Sequence, residues 1–141
     1  MYYVIPLVFT NWMESEMKFL LCDGGQGEFR SLKSGYCGVR ALAIAEMMPW
    51  VEAERYCKST CRGPLSRGIM KADYDAALKG LGYQWVSAPK FEGRKARPAD
   101  LVGYGRVIAL QAKHYTCVIE GTVHDIWDCS GKMVYGFWAK S

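Results

Sequence analysis

Gly35-Tyr36-Cys37-Gly38-Val39-Arg40-Ala41-Leu42-Ala43-Ile44-Ala45 decides how the rest of the chain is read. A cysteine stands among small residues where an apolar run of good helix formers begins. The run reaches Met48 with no glycine after Gly38, and Arg40 and Glu46 are its only charges. A helix that is apolar on nearly every side belongs at the centre of a domain. Cys37 is therefore expected at the end of a buried, rigid rod. A helix N-terminus carries about half a positive charge and backbone N–H groups without helical partners, and both favour thiolate over thiol.

Working outward, residues 22–36 are polar and Gly-rich, as a loop is, with Gln26 as their only side-chain amide. After the central helix, Pro49 forces a break. Residues 51–60 read as a second, short helix, ended by Gly63-Pro64. Ile69, Met70, Tyr74, Ala77 and Leu78 follow helical spacing up to Lys79, and Gly80 and Gly82 stop that helix. Residues 83–87 alternate like a strand, 88–97 form a basic loop and 98–102 a single helical turn. From Arg106 the chain reads as β, with strands over 107–110, 114–119, 122–127 and 133–138. Glu120-Gly121 is placed as a two-residue hairpin turn. Helices followed by an antiparallel meander predict an α+β fold, with a central buried helix packed on an antiparallel sheet.

The 141 residues suit one domain, 1–141, with residues 1–16 as a candidate N-terminal arm or strand. No apolar run is long enough for a membrane span, and residues 1–10 lack the basic start and cleavage site of a secretory signal. A cytoplasmic location is expected, with the six cysteines (22, 37, 57, 61, 117, 129) mostly as free thiols. Cys117, inside an apolar strand, is expected to pack as a small hydrophobe. Cys57 and Cys61 offer two zinc ligands that His114 or His124 could complete, but no second close pair exists, so neither metal nor cofactor is expected. Net charge is +4, yet ten Lys or Arg against three acids fall between Arg55 and Arg97. A basic middle is usually a solvated face; its sharper meaning is an acidic partner, with nucleic acid and membrane not expected.

A site emerges from the later hairpin. If Glu120 and Gly121 are the turn, Ile119 faces Thr122, Thr116 faces Asp125 and His114 faces Trp127. Alternation puts His114 and Asp125 on one face, within diagonal reach, and Asp128 on the other unless the strand end bulges. The second histidine, His124, then faces Cys117 and points away. A thiol needs an imidazole to take its proton and return it to the leaving amine, and a carboxylate to hold that imidazole. Cys37, His114 and either Asp125 or Asp128 meet those needs. The Cys37 backbone N–H is one candidate oxyanion donor and the Gln26 amide is another. Tyr36 and Gly38 beside the thiol, with Arg62 and Arg67 from the basic region, are candidate substrate contacts.

At these residues the chain resembles the papain-like cysteine peptidase superfamily, and most nearly the small bacterial and bacteriophage proteins of the double-glycine leader peptidase type. The matching pieces are residues 35–45, His-Tyr-Thr-Cys-Val-Ile at 114–119 and Ile-Trp-Asp-Cys-Ser at 126–130. The resemblance implies a papain-like fold and a cysteine peptidase, or a related amide or isopeptide hydrolase, acting on a peptide or protein with no cofactor. It marks Cys37, His114 and Asp128, so it ranks Asp128 above the Asp125 that strand parity prefers. The family's oxyanion glutamine, usually about six residues before the cysteine, is replaced here by Ser31, and Gln26 lies eleven before. Two other readings stay open. One is a catalytically inactive binding protein on the same scaffold, such as a phage-encoded antagonist of a host factor. The other is acyl or ubiquitin-like transfer by the same residues.

Overall fold

The central rod is the helix Cys37–Glu46 (α2), and all its residues from Gly38 to Ala45 are buried. It ends at Met47, whose left-handed φ of 53° closes the last turn with N–H bonds to the Ala43 and Ile44 carbonyls, two residues before Pro49. A computed structural model describes residues 17–88, 90–91 and 93–140 of the chain. The expected N-terminal arm lies outside the described residues.

Among the described residues, three further helices run around α2: Gln26–Phe29 (α1), Trp50–Thr60 (α3) and Lys71–Lys79 (α4). The strands are Phe19–Leu21 (β1), Tyr83–Ser87 (β2), Lys90–Phe91 (β3), Arg94–Lys95 (β4), Arg106–Gln111 (β5), His114–Ile119 (β6), Thr122–Asp125 (β7) and Gly136–Lys140 (β8). Short 3₁₀ turns occupy Leu65–Arg67 and Pro98–Leu101. The fold is α+β, as the sequence predicts. Six strands form one sheet in the order β1-β7-β6-β5-β8-β2, while β3 and β4 pair separately.

Two features differ from the expected antiparallel meander. The sheet is mixed, because β1 pairs parallel with β7. The last strand does not continue beside β7; it crosses to the far side and pairs with β5 and β2. Both differences come from edge satisfaction. A central strand must bond on both sides. With β6 occupying one side of β5, the open side is taken by β8, and β1 covers the otherwise open side of β7.

Apolar residues cover both faces of the sheet. On the helix side Ile108, Tyr115, Cys117 and Trp138 pack with Val39, Leu42, Ile44 and Tyr74. On the other, Val107, Ala109, Val118, Val123 and Phe137 pack with Ala96, Leu101, Cys129 and Val134. Two-sided burial explains why β5 and β6 are nearly continuous apolar runs instead of alternating ones. The fully buried Cys117 packs as expected.

Candidate active site

The hairpin β6–β7 has the predicted register: Ile119 opposite Thr122, Val118 opposite Val123, Cys117 opposite His124. Its turn residues Glu120 and Gly121 both have positive φ, 47° and 80°, as a two-residue turn matched to strand twist requires. That register brings His114 and Asp125 to one face. The His114 Nε2 lies 2.7 Å from Asp125 Oδ2, and both residues are buried. Thr116, between them, donates its hydroxyl to the same oxygen at 2.6 Å.

Asp128 is placed elsewhere. It is exposed and accepts hydrogen bonds from the Ser130 backbone N–H at 3.0 Å and the Ser130 hydroxyl at 2.6 Å. The orienting position beside His114 is thus filled by Asp125. The bulge needed to bring Asp128 back does not form, because β7 ends at Asp125 and Asp128 caps its own tight turn.

Helix α2 carries Cys37 into a cavity wall that it shares with His114. With Nε2 given to Asp125, Nδ1 is the nitrogen left for the thiol. Burial pushes the Cys37 thiol up. Hydrogen bonds from His114 and the Tyr115 backbone, with the charges of His114 and Arg40, outweigh that and hold it below the ordinary thiol value. Burial pulls His114 down, but hydrogen bonds with Asp125, Cys129 and Cys37 and the Asp125 charge push it up to about 11. The two shifts agree in sense. Each favours the charged form of its group.

Asp125 stays ionised in a nearly dry place for a similar reason. Burial raises its carboxyl, and the His114 hydrogen bond, the charges of Arg40 and His114 and the Thr116 hydroxyl bring it below the usual carboxylate range. Arg40, one turn along α2 from Cys37 and 3% exposed, sets its Nη2 3.0 Å from Asp125 Oδ1. Its Nη1 donates to Gln26 Oε1 at 2.6 Å. Gln26 is fully buried, and its amide nitrogen donates to the Ser31 carbonyl at 2.9 Å. The side chain expected as an oxyanion donor is engaged in holding Arg40 and the loop ahead of α2. Its position on α1 faces the guanidinium because Arg40 needs an acceptor besides Asp125.

Two cavities meet at His114. One of ≈ 330 Å³ includes Cys37, Arg67, Ile69, Met70 and Lys113 in its wall. The other, ≈ 350 Å³, includes Gln111, Trp127, Lys132 and Met133. The Trp127 ring lies 5.1 Å from the His114 ring, centre to centre. Of the expected substrate contacts, only Arg67 lines the cysteine's cavity. Arg62 is paired with Asp73 at 3.2 Å. Tyr36 packs edge-on to Trp50 and lines a separate cleft with Arg30 and Glu54. Gly38 is buried, and an added Cβ would stand 3.1 Å from Ile69 and 3.2 Å from Tyr74, so close packing is what it supplies. Among the described residues of the basic loop 88–97, none lines either cavity.

Three residues here were not singled out from the sequence: Arg40, Thr116 and Cys129. Arg40 carried a signal, a charge inside an apolar helix. Thr116 followed from the hairpin register, which places it opposite Asp125. Cys129, fully buried, sends its thiol toward Asp125 Oδ2 at 3.9 Å. His114, Asp125 and Cys129 present nitrogen, oxygen and sulfur within 4.8 Å of one another, the one metal-competent grouping among the described residues. Cys57 and Cys61 are therefore not joined to either histidine. At the first grouping the nitrogen and carboxylate already bond each other, and the Arg40 cation stands against a metal ion beside the same carboxylate.

Comparison with protein families, curated proteins and solved structures finds no match to this chain. Among the described residues, no helix is long and apolar enough to cross a membrane.

Proposed function

We propose that this chain is a papain-like cysteine hydrolase of amide bonds, a peptidase or isopeptidase, in which Cys37, His114 and Asp125 act together. One observation carries the reading: a single buried imidazole bonds Asp125 through Nε2 at 2.7 Å and also interacts with a thiol mounted on a helix N-terminus. The thiolate attacks the substrate carbonyl. The imidazolium protonates the departing amine, and the neutral imidazole then takes a proton from the water that hydrolyses the thioester. Asp125 holds the ring and its charge through both steps. The Cys37 backbone N–H, at the first helical position, has no helical acceptor and points support at the developing oxyanion.

Alkylation by iodoacetamide, followed residue by residue by mass spectrometry, tests this. Cys37 is expected to label much faster than the five other cysteines, and His114→Ala to abolish the difference. Cys37→Ala is expected to lose hydrolysis of a fluorogenic peptide. Uniform slow labelling would remove the proposal. It would favour the second reading, an inactive binding protein, which one observation supports: the Gln26 amide is spent on the Ser31 carbonyl.

A further inference from the structure

The two cavities beside His114 share a charge pattern that the proposed chemistry does not require. Among the described residues of their walls, each ionisable side chain apart from His114 itself is a cation, the Cys37 thiol or its neighbour Tyr115, and none is a carboxylate. Arg67 and Lys113 stand on the thiol side, and Lys132 stands on the Trp127 side. All three are exposed. Among the described residues none forms an ion pair, whereas Arg30, Arg62, Arg94, Lys79 and Lys140 each pair with a carboxylate.

The backbone is constrained at Lys113 and Lys132. Lys113 sits in the tight turn into β6 with a left-handed φ of 53°, immediately before His114. A non-glycine residue held there is strained, and such strain persists where the surroundings over-determine it. Lys132 sits on a loop pinned by the buried Gln111, whose amide donates to the Cys129 carbonyl at 3.0 Å and the Lys132 carbonyl at 3.2 Å. Cationic walls without acids repel basic substrates and draw anionic ones. The apolar Ile69 and Met70 on one side and Trp127 and Met133 on the other supply contact area.

We propose that the substrate is an acidic polypeptide segment carrying carboxylates on both sides of the bond attacked, one taken by Arg67 and Lys113 and the other by Lys132. This rests on the hydrolase reading above.

The test uses the full chain and two small probes, neutral iodoacetamide and anionic iodoacetate. The rate ratio, iodoacetate over iodoacetamide, is measured at Cys37 and normalised to free cysteine. The wild-type ratio is expected to exceed that of the double variant Arg67→Gln/Lys113→Gln by about fivefold, as two lost exposed ion pairs imply, and to shrink with added salt. Digestion of a mixed peptide library is expected to enrich Asp and Glu on both flanks of cleaved bonds. Lys132→Gln should erase the enrichment on one flank only, and Arg67→Gln/Lys113→Gln that on the other. An unchanged ratio in the double variant, or cleavage sites without acidic enrichment, overturns the acidic-substrate proposal while fast iodoacetamide labelling leaves the hydrolase reading standing. Slow labelling by both probes overturns the hydrolase reading itself.

Discussion

Asp125 is the residue on which most of the site converges. It accepts from His114, Thr116 and Arg40, and from the Ile126 backbone N–H at 2.7 Å. Asp125→Asn removes the charge that holds the imidazolium and leaves the Arg40 guanidinium buried without a counter-charge. Loss of an orienting carboxylate lowers rates by ~10⁴-fold in triads of this kind, and breaking a buried ion pair costs about 3–5 kcal/mol. Asp125→Asn is therefore expected to slow both Cys37 alkylation and hydrolysis, and to lower the urea midpoint. Asp128→Asn is expected to stay within about 0.5 kcal/mol of wild type with its labelling rate unchanged. The reverse ranking would return the orienting role to Asp128. Strand parity pointed to Asp125 and the family pattern to Asp128. Parity prevailed because the hairpin runs without a bulge, and parity is set by local geometry. Gln26 was harder to read, since its partner Arg40 lies fourteen residues away and only tertiary packing joins them.

At the level of elements, the hairpin turn sets which residues meet. A shift of one residue in register would send Asp125 to the opposite face. Gly121 is the critical position: its φ of 80° disfavours any side chain, and a Cβ would stand 2.5 Å from Val102 Cγ2 and 3.3 Å from the Ala99 carbonyl. Gly121→Ala is expected to cost about 1–3 kcal/mol, read as a lower urea midpoint with an unchanged slope. A loss within experimental error would show that the turn does not control the register. The hairpin, α2 and α4 were legible because each has strong local signals: periodicity, a two-residue turn, glycine stops. Strand β1 was not. Phe19–Leu21 is three residues long, and its strand identity comes from pairing with β7 more than a hundred residues later. The route of β8 was equally hidden, since nothing in residues 126–135 marks which open strand edge the chain will reach.

The whole molecule adds a second histidine whose behaviour is opposite to that of His114. His124 is 8% exposed on β7, beside Cys117, and burial together with the Arg106 charge lowers it to about 4. An unfolded histidine takes up its proton near pH 6.5. Between that value and about 4 the unfolded chain binds more protons than the folded one, so stability falls as pH falls, by about 3 kcal/mol across the window. His114 adds no slope there. Its raised value makes its contribution fully present below about 6.5 and lost only as pH rises toward about 11. Asp125, held low, loses its contribution only below about 4. The limb between about pH 6.5 and 4 thus belongs to His124 among the three. Urea midpoints measured across it are expected to decline steadily in the wild type and to flatten in His124→Gln, while Cys37 alkylation at neutral pH stays unchanged. An equal decline in both proteins would show that His124 is not kept neutral by the fold.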